Sequence, residues 1–307
     1  MLFPIGLRYM LLSAFGFAAM AVCVKLAFAR GIPVLEIVVA RSLVSVLLSY
    51  LDIRRKRLPV FGTHKGLLMA RGVVGAVALM AVYYAITVLP LAEATIIQYL
   101  HPMFVAVLAL LFLGERFNLG VVACVVLSFA GLILVAEPAW LSALFSSQAQ
   151  TAVSSAVLAE SVGLDLVGVF IAVLGAFGSA IAYVLVRKLS SLEDSSVIIL
   201  YFPMIALPLS LILLGSDFVW PTEWITWLLL LLVGIFTQLG QVGLTMAMQT
   251  ETAARATGFS YVQVLFAVIF GFLFFQEIPG SSALLGTLLI MSGALINLFY
   301  RSKAERE

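Results

Sequence analysis

Eight polar side chains stand inside otherwise apolar stretches of this sequence: Arg41, Gln98, Tyr99, His101, Gln238, Gln241, Tyr261 and Gln263. Hydrogen-bonding and ionisable groups are costly near the centre of a bilayer, and those that occur there face a cavity or one another. The set offers a permanent cation, amide and phenol groups, and one imidazole, whose unperturbed pKa of about 6.5 suits proton exchange. These groups fit a ligand with a carboxylate or phosphate, so the expected ligand is a small anionic or zwitterionic solute. Apart from Glu36, near the outer end of the second apolar segment, the acidic residues fall in loops, tails or at helix ends. A site for lipophilic cations, or a proton exchanger built on a buried carboxylate, would need Asp or Glu at mid-depth.

Each residue also has a plainer assignment. Arg41 could pair with a backbone carbonyl or with Glu36, the glutamines and His101 could bond between helices, and the tyrosines could pack or anchor at the interface. Tyr83, Tyr84 and Tyr183 are further aromatic candidates. Lys25 and Arg71 lie close enough to helix ends to snorkel toward water.

The elements that would position these groups are membrane-spanning helices. The chain is 64% hydrophobic and 10% charged, against roughly 45–50% and about 25% in soluble domains. Its net charge of +2, with scattered basic residues, excludes nucleic acid as a partner. About 20 apolar residues are needed to cross the hydrocarbon as a helix. Ten segments qualify: Leu7–Phe28, Val34–Leu51, Gly66–Leu89, Ala92–Leu113, Leu119–Ala136, Leu166–Val186, Val197–Leu214, Trp224–Met246, Ala256–Phe275 and Ser282–Tyr300. Arg41 sits eight residues into an 18-residue span, near mid-depth. Gln238 and Gln241, three apart, occupy neighbouring parts of one helix face. Pro90 and Pro102 bracket the start of the fourth segment and could loosen its backbone. Cys23 and Cys124 lie in apolar segments and read as packed free thiols, and no metal-ligand or cofactor motif is present.

With the N-terminus inside, 13 of the 17 Lys and Arg residues fall on the cytoplasmic side, and only Arg30 on the other. The expected location is therefore a bacterial inner (plasma) membrane with both termini cytoplasmic. The first segment reads as a retained helix, because Ala14-Phe15-Gly16-Phe17-Ala18 returns 162 residues later as Ala176-Phe177-Gly178-Ser179-Ala180.

That offset is general. Residues 92–115 align without gaps on 254–277 with eight of 24 positions identical, among them Tyr99/Tyr261 and Glu115/Glu277. Gln98 and His101 fall opposite Ser260 and Gln263. The expected organisation is two repeats, 1–137 and 166–307, joined by an outer linker at 138–165 that contains Trp140. Five spans per repeat is an odd number, so the second must enter the membrane from the opposite face. The fold expected is all-α, with ten transmembrane helices as two inverted five-helix repeats, an arrangement that supplies alternating access in secondary transporters.

The sequence resembles the EamA-type carriers of the drug/metabolite transporter superfamily. The resemblance rests on Phe15-Gly16 through Lys25, on Pro33 and Arg41, and most specifically on LPLAEATIIQYLHPMFVAVLALLFLGE, Leu89 to Glu115. Such proteins often carry Trp at the position of Phe15, and Pro203 stands where the repeat offset from Arg41 would place Arg. Arg71 to Ala94 looks closest to the branch that includes vertebrate solute carriers and bacterial S-adenosylmethionine carriers. Carriers of this family move amino acids, nucleotide-related metabolites, drugs and other small solutes, so the resemblance implies transport but not a substrate; the expected function is secondary transport of a small anionic or zwitterionic metabolite, amino-acid-like or nucleotide-related, with no catalysis. A channel, a membrane scaffold or a membrane-embedded enzyme are the competing readings. The expected partners are a small-molecule substrate and the lipid bilayer, with a homodimer left open.

Overall fold

The computed structural model describes residues 5–89, 91–115, 119–136, 166–276 and 280–304. They form helices: α1 (Ile5–Phe28), α2 (Val34–Arg55), α3 (Lys65–Val88), α4 (Leu91–Gln98), α5 (His101–Leu113), α6 (Leu119–Ala136), α7 (Leu166–Leu189), α8 (Ser195–Leu214), α9 (Trp224–Thr250), α10 (Ala253–Gly258), a 3₁₀ turn (Phe259–Tyr261), α11 (Val262–Phe275) and α12 (Ser281–Ala304). No strand occurs among the described residues. Within hydrocarbon each backbone N–H and C=O must find its partner inside the segment, which selects helix for runs this apolar.

Nine stretches among the described residues are long and apolar enough to cross a membrane, from Ile5–Phe28 through Ala253–Phe275. The described apolar stretch of the last helix, Ser281–Ile296, is shorter than the others. Pro90, Arg116, the 138–165 linker with Trp140, and Glu277 lie outside the described residues.

The fourth segment, expected as one helix, is two. Pro102 has no N–H to give the Gln98 carbonyl, which would be its partner four residues back. Leu100 N–H turns instead to Ile97 O at 3.1 Å, and Met103 N–H to Leu100 O at 3.0 Å, so the chain tightens between α4 and α5. His101 supplies the missing donor: its Nδ1 donates to Gln98 O at 3.0 Å. The corresponding helix of the second half is interrupted at the equivalent place, by the 3₁₀ turn that ends on Tyr261. There the hydroxyls of Thr257 and Ser260 donate to Ala253 O and Thr257 O at 2.9 and 2.6 Å, competing with the regular ladder.

Exchange of α1–α6 for α7–α12 leaves the main helix pairings unchanged. α1 lies on α9 as α7 lies on α3, α2 on α9 as α8 on α3, and α1 on α11 as α7 on α5, while α2 pairs with α8 and α6 with α12. Close approach needs glycine at the α1–α9 crossing, where a Cβ on Gly16 would stand 2.7 Å from the Gly240 nitrogen. α5 ends at Gly114 and α11 at its repeat partner Gln276, both left-handed with φ of 65° and 55°. Glycine meets that conformation without steric cost, glutamine does not.

Candidate functional site

Between the two halves lies a cavity of about 240 Å³. Its charged and polar lining comes from Arg41 on α2, Arg71 on α3, His101 on α5, Tyr183 on α7, Gln241 on α9 and Gln263 on α11, together with Gln98, Tyr99, Ser13, Ser179 and Ser260. Phe202 of α8 closes one wall. Among the described residues, no carboxylate lines it.

Six of the eight residues singled out from sequence, Arg41, Gln98, Tyr99, His101, Gln241 and Gln263, border this cavity. Two do not. Gln238 turns to α2 and donates through Nε2 to Ser49 Oγ at 2.9 Å. Tyr261 is fully buried behind Tyr99, stacked on it with ring centroids 5.5 Å apart, and its hydroxyl donates to Tyr99 O at 2.8 Å. Of the further aromatic candidates, Tyr183 lines the cavity, and Tyr83 meets it through Arg41.

Arg41 is 6% exposed and does not pair with Glu36, whose Oε2 accepts from Val219 N at 2.9 Å. Its Nη1 lies 3.4 Å from Tyr83 Oη, a long bond to a neutral group. Arg71, which its sequence position placed near a helix end, does not snorkel outward. It is 3% exposed, and its Nη2 reaches Gln241 Oε1 at 3.4 Å while its Nε has no partner. Both guanidiniums lie by one ring: the Arg71 Cζ is 4.8 Å and the Arg41 Cζ 5.8 Å from the Phe202 centroid. Such cation–π contacts stabilise a desolvated cation by about 2 kcal/mol.

His101 carries a second unmet group. Donation from Nδ1 to Gln98 O fixes Nε2 as the acceptor of the neutral ring, and that buried atom has no partner. Its ring packs edge-on against Tyr183, centroids 5.2 Å apart. The hydroxyls of Ser13, Ser179 and Ser260 are committed to backbone carbonyls at 2.6–2.8 Å. The strongest free hydrogen-bonding capacity at the cavity is thus cationic at Arg41 and Arg71 and accepting at His101 Nε2.

Polar contacts tie the halves together at the end of the bundle where α2 and α7 finish. Glu115, placed by the left-handed Gly114, receives Arg187 Nε at 3.1 Å and the Ala253 N–H at 3.0 and 2.9 Å. Arg187 also donates to Met248 O. Nearby, Lys56 bridges to Asp194 at 3.0 Å, and Glu193 receives Thr63 N–H at 2.7 Å and His64 N–H at 2.6 Å. Burial raises the Glu193 carboxyl, but the hydrogen bonds from Thr63 and His64 outweigh it, and the group sits below the ordinary carboxylate range.

A profile of the EamA-like transporter family matches the chain twice, over residues 4–136 and 166–299. The pseudopaline exporter CntI of Pseudomonas aeruginosa is 33% identical over 286 residues, 93% of this chain and 93% of the exporter. Solute carrier family 35 member G1 of Homo sapiens is 30% identical over 306 residues, 97% of this chain and 80% of the carrier. A crystal structure at 17% sequence identity superposes with a TM-score of 0.72 over 96% of this chain and 98% of its own, a likeness of fold alone. By its two family matches and its relatives, the chain belongs to the EamA-like transporter family and is an integral membrane transporter, not an enzyme.

Proposed function

We propose that the protein is a secondary transporter that moves a small anionic or zwitterionic metabolite, amino-acid-like or nucleotide-related, by alternating access. The observation that carries this reading is one cavity bordered by two helices interrupted at repeat-equivalent tyrosines, Tyr99 and Tyr261. Interrupted helices at the interface of two repeats leave backbone and side chains available to a solute at mid-depth. Arg41, Gln98, Tyr99, His101, Gln241 and Gln263 contact the solute, with Gln238 and Tyr261 as supports.

The reading includes ten spans, two inverted repeats at 1–137 and 166–307 with an outer linker at 138–165, and both termini in the cytoplasm of a bacterial cell. The main helix pairings shared by α1–α6 and α7–α12 support it, since two similar halves can trade conformations. The relative named as a pseudopaline exporter supports export as the direction to test first.

Counterflow in proteoliposomes tests the proposal, after a thermal-shift screen over amino acids, nucleotide derivatives and S-adenosylmethionine analogues has found a ligand. A carrier accelerates uptake of labelled solute when unlabelled solute is loaded on the far side. Uptake indifferent to the far side means a channel.

A further inference from the structure

We infer that the cavity selects a solute carrying two negative charges, held by Arg41 and Arg71, which both lie beside the Phe202 ring. The inference rests on the transport reading and narrows its ligand from anionic or zwitterionic to dianionic.

Charge balance is the first ground. Among the described residues neither guanidinium has a carboxylate partner and no acid lines the cavity. Each is held instead by a 3.4 Å contact to a neutral oxygen, of Tyr83 or of Gln241. A monoanion would leave one buried cation uncompensated, which is unfavourable in a poorly hydrated site. An amino acid would also bring its ammonium beside two guanidiniums with no acid to receive it. A dicarboxylate or a phosphomonoester neutralises both, and each guanidinium can engage its anion through two parallel N–H groups.

Unmet hydrogen bonding is the second. Arg71 Nε is a buried donor without a partner, although Arg71 is 3% exposed, so the guanidinium holds unused capacity at the cavity. The third is the break in repeat symmetry. The positions equivalent to Arg41 and Arg71 are Pro203 and Val233, so both cations come from the first half only. The anionic end of the solute is thereby placed against α2 and α3. The unpartnered acceptor at His101 Nε2, on the α5 side, is left for a hydroxyl or N–H of the remainder.

Matched probes test this on the purified full-length protein. Thermal stabilisation is titrated at constant ionic strength and pH 7.5 with succinate and glutarate, with their monoamides, and with inorganic phosphate, sulfate and chloride. The expected result is saturable stabilisation with half-saturation at least tenfold lower for each dicarboxylate than for its monoamide. R41Q and R71Q should each abolish that preference, R41K and R71K should retain part of it, and R54Q, at an exposed site away from the cavity, should retain all of it. Equal half-saturation within the matched pairs overturns the inference, as does a preference that survives R41Q and R71Q, or no saturable stabilisation by any dianion. If counterflow of another solute is observed alongside any of these results, the transport reading stands and the dianion assignment falls. Dianion preference without counterflow keeps the site and removes the carrier mechanism.

Discussion

The Tyr261 hydroxyl donates to the backbone carbonyl of Tyr99 at 2.8 Å, and the two rings stack 5.5 Å apart. These residues are 162 apart and occupy the same place in the two halves, so the interruptions of the two helices touch each other. Tyr261→Phe keeps the stack and orphans the Tyr99 carbonyl, at about 1–3 kcal/mol. Tyr261→Ala also opens a cavity and costs about 3–5 kcal/mol. Melting of the purified variants should rank wild type above Tyr261→Phe above Tyr261→Ala.

Pro102→Ala restores an N–H facing the Gln98 carbonyl and frees His101 Nδ1 from that role. The expected outcome is a more continuous helix across α4 and α5, a higher melting temperature and a lower transport turnover. Paired melting and proteoliposome uptake measure it. A variant as active as wild type would remove the interruption from the mechanism.

Glu115 joins α5 to α7 and α10 through Arg187 and the Ala253 N–H. Glu115→Ala leaves Arg187 with its donation to Met248 O and strips the Ala253 N–H of its acceptor. A loss of about 2–3 kcal/mol in this tie is expected, enough to shift a two-state equilibrium by tens of fold. Thiol labelling of a cavity cysteine, introduced at Ser179, should speed up from the Glu115 side in Glu115→Ala. Arg187→Ala should act in the same direction.

The Glu193 carboxyl, held below its ordinary range by Thr63 and His64 despite burial, links stability to pH. A depressed folded value contributes stability in full above the unfolded value of about 4.3, and the contribution is lost as pH falls through the folded value. Melting of wild type should therefore fall below about pH 4 more steeply than melting of Glu193→Gln, whereas near pH 7 the variant should be the less stable of the two.

The apolar spans and the repeat were legible because hydropathy and a fixed offset are linear properties of the chain. The interruption at Tyr99 was not, since hydropathy measures transfer and is blind to a missing N–H; Pro102 was visible, but not its rescue by His101. Gln238 and Gln241 separate because three residues turn a helix by about 300°, leaving the two roughly 60° apart. That angle suffices to send one to Ser49 and the other to the cavity. Arg71 was misplaced by counting from a helix end. Its side chain follows the α8 wall to Phe202 and inward, a direction set by tertiary packing.

On the alternating-access reading proposed above, two guanidiniums in a cavity whose described lining holds no carboxylate would make transport an electrical process. Each elementary charge that experiences the whole of a 100 mV potential changes energy by about 2.3 kcal/mol. In that mechanism Arg41 and Arg71 would stay on their helices as access switched sides, and the field would be redistributed around them. On that reading an interior-negative potential would draw the unloaded protein toward cytoplasmic access, and a bound dianion would remove the bias. Voltage would then act on the return of the empty carrier, so that counterflow measured with and without an imposed potential reports the charge of the cavity.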